Sequence, residues 1–521
     1  MAPRPSLSAP NQHRVHLPRA GAAATEQTPP GTRPTLGGRG PRSGGPAAIA
    51  LLTAGLATTM VTGCVLNSPP DTAAVKELAL PGTQLPAQWA SEGAGASVVA
   101  GGWLAGFRDD QLTAAVAEAI AHNADLRVGA ARVEQALLHA KLAGAKLYPS
   151  VDLLARGGGK LSGDGSGLQG GVLSATWEVD LWGRVRYGRA ASAAEAASAQ
   201  ADFIYARESI AALVAKSWFL ATEAALQIQA AGESLRASEE LVRLADDRAR
   251  IGIGNQEEVF VARAGVGSYR DALRQLELGR EQAIRSLELL LGRYPSAAAA
   301  TAPELPAYPG EVPTGLPSEL LERRPDVIAA ERRIAAAFNR IGEAKAARLP
   351  VISLTTGLSV ISSDLFELKD HDNPVWNVGA GLFAPLFRGG ALKTQVEIRT
   401  AEQQQAIAEY AVVGLRAFGE VEGALSAEVT AREREQILAQ TLSDNQQALN
   451  LVQTQFKVGS TDLRFVEQRQ VALASTRSAL IQMQAEQRVQ RVNLHLALGG
   501  SFELPPTPPP NTAPAGAAPT P

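Results

Sequence analysis

Two kinds of hydrophobic periodicity alternate along this chain, and the points where one gives way to the other organise it. From Gly171 to Arg189, Leu173, Ala175, Trp177, Val179 and Leu181 alternate with Ser174, Thr176, Glu178 and Asp180. That period of two puts apolar and polar side chains on opposite faces of a strand. The pattern then becomes helical, and an Ala-rich, Pro-free segment from about Ala190 to Ile251 predicts a helix roughly 90 Å long at about 1.5 Å per residue. The same junction recurs at Trp376 to Lys393.

Upstream, Asp109 and Asp110 offer N-caps to a short helix ending near His122, and Asp125 opens a second that runs to Lys146, where Tyr148-Pro149 stops it. Val151, Leu153 and Ala155 alternate with Asp152 and Arg156 in a first strand, and a Gly/Ser/Asp turn over 157–167 joins it to the next as a hairpin. Beyond the long helix, Gly252-Ile253-Gly254-Asn255 breaks the chain, and a second long helix runs from Gln256 to Leu291. So short a turn requires the two to lie antiparallel. Then the order repeats. Leu321-Glu322-Arg323-Arg324-Pro325-Asp326 precedes a helix to Arg348; strands follow at Ile352–Val360 and Trp376–Ala384, separated by a loop with His371 and Asn373; a long helix spans Ala391–Lys457; Val458-Gly459-Ser460-Thr461 makes a turn; a last helix ends at Leu498-Gly499. The spacing of roughly 205 residues is that of a duplicated large unit, far beyond solenoid periods.

Four such strands cannot close a barrel, since known barrels need about eight or more. Open edges in lipid would leave backbone groups unpaired at several kcal/mol each, so the pattern calls for oligomerisation. Trp177, Trp182, Trp376 and Phe387 near strand ends fit an aromatic girdle. A soluble sandwich hairpin is the alternative for the strands alone. No stretch beyond the N-terminal leader reads as a membrane-spanning helix.

Composition narrows the classes. The net charge of −3 argues against a nucleic-acid binder, which needs a basic footprint. The single cysteine, Cys64, excludes an intrachain disulfide and any multi-Cys metal site. It follows Arg39, Arg42, an apolar run from Ala47 to Val61 and then Val61-Thr62-Gly63, which is a secretory signal pattern. The stretch resembles a bacterial lipobox, implying cleavage before Cys64 and lipidation there; an uncleaved anchor with a bystander cysteine is the other reading. Residues 64–102 read as an arm without sustained period, and the Pro/Ala/Thr-rich tail from 505 as disordered.

Motifs for catalysis fail on context. Gly165-Ser166-Gly167-Leu168-Gln169-Gly170 satisfies G-x-G-x-x-G but precedes a strand. The six histidines carry no H-E-x-x-H or Cys/His spacing. Neither an enzyme nor a cofactor is implied. Glu178 and Asp180 fall on the polar face, which in a water-filled channel would line the pore; a carboxylate pair for acid/base catalysis is the other reading.

From about Trp103 to Gly500 the chain resembles the TolC-like outer membrane factors, in their NodT-type lipoprotein branch. The residues carrying this are Leu321-Glu322-Arg323-Arg324-Pro325-Asp326-Val327 with Ala330-Glu331, Ile341-Gly342-Glu343-Ala344, Trp177 to Arg184, and the duplicated Gly-containing breaks. The resemblance implies a mainly α fold with a transmembrane β part: a homotrimer whose four strands per chain form one twelve-stranded barrel, continued by an α-helical coiled-coil tunnel across the periplasm. It divides the chain into a leader and signal (1–63), a lipid-anchored arm (64–102), repeat 1 (103–300), repeat 2 (301–504) and a tail (505–521). It implies an outer membrane conduit fed by an inner membrane RND-type pump through a periplasmic adaptor, passing drugs, metal ions or polypeptides. A type I secretion conduit, and in a different class an adaptor or coiled-coil scaffold, are the alternatives. In the family the helix turns narrow the tunnel, with an aspartate just after the second turn; here the aligned pair is Glu467-Gln468. The acidic constriction is therefore expected at Asp462 or Glu467, and Arg464 together with Glu257 and Glu258 at the first turn completes the candidate gate, against the alternative that these charges are a solvated helix face.

Overall fold

The computed structural model describes residues 66–91, 101–156, 169–310, 312–362 and 375–503. Cys64, the 157–167 turn with the first four residues of its glycine motif, the loop carrying His371 and Asn373, and the tail from 505 lie outside the described residues. The elements are α1 (Thr72–Ala79), α2 (Asp110–His122), α3 (Ala124–Ala145), β1 (Ser150–Arg156), β2 (Gln169–Val179), α4 (Arg184–Arg250), α5 (Gln256–Leu290), α6 (Pro317–Arg323), α7 (Pro325–Ala346), β3 (Val351–Ser362), β4 (Val375–Phe383), α8 (Ala391–Lys457) and α9 (Leu463–Ala497).

The duplication is metrical. α3 and α7 have 22 residues each, α4 and α8 have 67, and α5 and α9 have 35. Glycines with left-handed backbone sit at 183 and 390, 252 and 459, and 292 and 499, each pair 207 residues apart. These positions end or begin the long helices, where φ of +68° to +83° favours a residue without Cβ. The turns are also capped alike, by Asn255 on α5 and Asp462 on α9, each accepting a hydrogen bond from a first-turn N–H.

The structure departs from the sequence reading mainly at one helix start and in two additional short helices. α4 starts at Arg184 instead of Ala190, because Asp180 accepts from the N–H groups of Val185 and Arg186 and so satisfies a helix start that periodicity alone does not mark. The arm contains the eight-residue α1, capped by Asp71 and buried through Val75. Further along the arm, Glu422 of α8 accepts from the N–H groups of Ala90 and Ser91, and Trp89 donates to the Thr314 carbonyl. The Pro-rich connector ends in α6, with Pro317 at its first position.

The four strands form one antiparallel sheet in the order β1-β2-β3-β4. Its register aligns Leu153, Leu173, Leu358 and Trp376 in one row, and Trp177, Leu354 and Ala380 in another. Val179, Ile352 and Leu382 make a third row on that same face. The opposite face carries Asp152, Ser174, Thr176, Glu178, Ser353, Thr355, Gly357, Asn377, Gly379 and Gly381. β1 and β4 are edges, and every residue of β4 is exposed.

The helical part is held by three apolar clusters. One gathers Trp103, Phe107, Leu112 and Val116 against Ile210, Val214 and Phe219 of α4. A second packs Val75, Leu320, Leu321, Val327 and Ile334 on Tyr410, Ala417 and Val421 of α8. The third, with Leu241, Val259, Phe456, Leu463 and Val466, lies at the helix turns. A fully buried Leu or Phe contributes about 1.5–3 kcal/mol. α4 contains a stretch that by length and composition alone could cross a membrane, contrary to the sequence reading. Half of that stretch is buried within the chain, and Ile210, Val214 and Phe219 of the same helix lie in the first cluster, as in a core helix.

Candidate functional site

The chain presents two chemically distinct ends. At the strand–helix junction, Glu178 stands on the polar sheet face and is held by Arg184, whose Nε lies 3.0 Å from its Oε1. Asp180 is one residue beyond β2, and its carboxylate caps α4 and pairs with Arg186 at 3.1 Å. The two carboxylates are thus separately neutralised by arginines of the helix they introduce. Trp177 donates to the Leu147 carbonyl at 2.9 Å and Trp182 to that of Pro350 at 2.7 Å, tying the aromatic side to the ends of both preceding helices. Trp376 and Phe387 are exposed at 75% and 88%, as an apolar outer girdle requires.

At the other end, the α4–α5 and α8–α9 turns meet, but the five acidic and basic candidates do not form one cluster. Asp462 and Arg464 pair at 2.8 Å on the surface, and this hydrogen bond holds the Asp462 carboxyl below its ordinary range. Glu257 adds its charge to Arg464. Glu258 faces Arg248, with 4.0 Å between Oε2 and Nε, an attraction between charges too long for a hydrogen bond. Glu467 is elsewhere: its Oε1 lies against Gly265, which Ser238 of α4 also approaches, and that oxygen has no hydrogen-bond partner among the described residues. Burial pushes its pKa up, and burial followed by the charge of Glu467 does the same to Tyr269, whose hydroxyl also lacks a partner among the described residues.

Arg248 is the residue the sequence reading missed. It donates to the Phe456 carbonyl at 3.0 Å and the Ile253 carbonyl at 3.3 Å, so one buried guanidinium spans both turns. Its counterpart 207 residues on is Gln455, so the duplication gives no signal for it. The Arg-Arg-Pro-Asp stretch also acquires a physical role. Arg324, fully buried, holds Asp326 through two bonds of 2.9 and 2.8 Å, pairs with Glu420 at 2.6 Å and donates to the Ala497 carbonyl at 3.2 Å. Arg323 donates to the next carbonyl, Leu498, at 2.9 Å. Two cations at the C-terminal end of α9 complement its dipole and its unpaired carbonyls. In the first repeat Asn123 does the same service for α5 by donating to the Leu290 carbonyl at 2.9 Å. Among the described residues no group of three or more His, Cys, Asp or Glu could hold a metal ion.

A sheet with one apolar face and two open edges, continued by two helices each about 100 Å long at about 1.5 Å per residue, is a section of a membrane channel wall. The chain belongs to the outer membrane efflux protein family, whose model matches residues 115–293 and 316–500, one segment for each repeat. It is 30% identical over 410 residues to the cation efflux system protein CusC of Escherichia coli K12, covering 77% of this chain and 88% of that one. It is also 30% identical over 419 residues to the pyoverdine export outer membrane protein OpmQ of Pseudomonas putida, with the same coverage. Among solved structures, the channel OprN superposes with a TM-score of 0.73 at 26% identity, covering 81% of this chain and 99% of OprN. The open-state MtrE channel of Neisseria gonorrhoeae superposes with 0.73 at 25%, covering 84% and 98%. The fold is therefore the TolC-like barrel and tunnel, and the protein is an outer membrane efflux channel.

Proposed function

We propose that three copies of this chain close a twelve-stranded barrel and a helical tunnel, and that the tunnel receives its cargo from an inner membrane RND-type pump through a periplasmic adaptor. The observation that carries this reading is the sheet itself: β1 and β4 are unpaired edges next to a continuous apolar face, and neither is tolerable in lipid unless a neighbouring copy completes the ladder. The exposed Leu137, Leu138 and Leu142 of α3 and Val412 and Leu415 of α8 lie on the helices below those same two edges, where the next copy would cover them. Cys64, lipidated, would anchor the arm in the outer membrane. The reading assigns transport and no catalysis. The polar sheet face bearing Glu178 lines the lumen, whereas Asp180 serves chiefly as a helix cap.

The helix turns form the periplasmic end, where Glu257, Glu258, Asp462, Arg464 and Glu467 tune closure. Their separation supports two roles: the exposed Asp462–Arg464 pair faces solvent or adaptor, and Glu467 acts within the packing between α9 and its neighbours. Replacing Asp462 and Glu467 with Ala is expected to change single-channel conductance and drug sensitivity; unchanged values would remove both from the gate. The assembly itself is tested in outer membrane extracts, where heat-resistant trimers are expected and a soluble periplasmic monomer would contradict it.

A further inference from the structure

Just below the sheet, a recess of about 380 Å³ opens between the end of α3, the start of α4 and the end of α7. Its wall includes Lys146, Arg184, Arg189 and Arg340 together with Glu195 and Glu343. Two of these cations are committed. Arg184 is held by Glu178, and Arg340 binds Glu343 at 3.0 Å and Glu195 at 3.1 Å. Both carboxylates of the recess are thereby spent on Arg340. Lys146 and Arg189 have no carboxylate within ion-pairing distance among the described residues, so the wall carries two uncompensated positive charges. Arg189 lies along Gly144, where an added Cβ would sit 3.6 Å from its Nε, and Glu343 occupies the space over Gly188, where a Cβ would be 2.9 Å from its Oε1. Gly188 thus leaves the room that Glu343 fills, whereas at Gly144 a Cβ would make ordinary contact with Arg189.

The recess and the anchored arm use different sides of α4. Asn67 donates to the Tyr187 hydroxyl at 3.0 Å, and Leu66 lies over Gly183, so the chain that follows Cys64 runs along the 183/187 side of α4. Residues 184, 188, 192 and 195 form a different stripe of the helix, and Arg184 joins that stripe to Glu178 on the polar sheet face. Under the channel reading, on which this step rests, the polar side is the lumen.

We propose that this recess is a lumenal binding site for small phosphate-type oxyanions, held by Lys146 and Arg189. In the trimer it recurs three times and makes a positive collar below the barrel. An ammonium and a guanidinium supply the donors that such an oxyanion accepts, and the 380 Å³ volume admits a hydrated phosphate group. The proposed occupant is a dissolved anion passing through the lumen; the headgroup phosphate of a phospholipid shares the chemistry and would approach from the opposite side.

The test uses full-length trimers in planar bilayers of phosphatidylcholine, with inorganic phosphate titrated at constant bulk conductivity. The open-channel current is expected to fall saturably with phosphate. In the double variant Lys146→Gln, Arg189→Gln the half-blocking concentration is expected to rise at least tenfold, while heat-resistant trimers and phosphate-free conductance are retained. Isothermal titration of phosphate into the detergent-solubilised proteins should show the same difference, and it reads binding independently of conduction. Equal titrations for both proteins would overturn the proposal, as would phospholipid that co-purifies with the native protein and not with the variant. Phosphate binding by calorimetry without any conductance would count against the channel reading and leave the site standing.

Discussion

Arg248, in the last turn of α4, donates to the carbonyl of Phe456 at 3.0 Å and lays its guanidinium 4.5 Å from the centre of that residue's ring, so one side chain joins the turns of the two repeats. Hydrogen bonds from a charged donor contribute about 1.5–3 kcal/mol each, and here the acceptors belong to chain segments 208 and 5 residues away. Arg248→Ala is therefore expected to weaken the contact between the turns by about 2 kcal/mol or more. Faster hydrogen exchange at residues 456–462 and larger single-channel conductance would both report it, whereas unchanged exchange would show that the turns are held by the apolar cluster alone.

The buried Arg324–Asp326 pair makes a sharper prediction about assembly. Removing one partner of a buried pair costs up to about 3–5 kcal/mol; without Asp326 the fully buried Arg324 loses two hydrogen bonds and keeps Glu420, at 2.6 Å, as its remaining carboxylate partner. Asp326→Ala should lower the yield of folded trimer strongly. Arg324→Met with Asp326→Leu should recover part of the loss, although the Ala497 carbonyl then remains without its donor. Thermal unfolding of the single and double variants measures the difference.

His495 gives the helical body an acid limit. It is buried and stacked on Trp103 at 5.9 Å between ring centres, and burial, followed by the charge of Arg491, pushes its pKa down to about 3. The folded state thus prefers the neutral ring. Stability from this group is present above its unfolded value near 6.5 and is lost as pH falls from there toward 3. His495→Phe is expected to flatten the stability profile between pH 6.5 and 4, read by thermal melts; a profile identical to that of the native protein would contradict the assignment.

Glu467 works in the opposite direction. Burial raises its folded pKa, so its contribution is fully present below the unfolded value of 4.5 and is lost as pH rises through the folded one. Glu467→Gln should therefore tighten the packing of α9 against α5 at neutral pH and remove this part of the pH dependence. Hydrogen exchange of residues 463–470 at pH 5 and pH 8 separates the two proteins if this is so.

Much of this architecture was legible because its signals are long or repeated. α8 spans Ala391–Lys457, the bounds that the repeated order and the turn at Val458-Gly459-Ser460-Thr461 predict. The strands followed from alternation, and the register confirms that Leu173, Trp177 and Leu354 share a face. What escaped depended on contacts distant in sequence. α1 is short and is stabilised by Val75 against the α8 cluster, with no long period to announce it. Arg248 reads as an ordinary last-turn cation until the second repeat brings Phe456 beside it. The charges near the turns read as a single acidic group because their spacing along the helices is close. Their side chains point to different neighbours, Asp462 to Arg464 and Glu467 to Gly265.

Closure of the barrel requires β1 of one copy to pair with β4 of the next. Cross-linking tests it most directly: Leu153→Cys on β1 is combined in turn with Cys at Trp376, Val378 and Ala380 on β4, since these positions share the apolar face and bracket the open edges. Oxidation in outer membranes should convert at least one combination into covalent dimers and closed trimers on denaturing gels, with none formed by either single variant beyond the background of Cys64. Monomers alone from every combination would contradict the shared barrel.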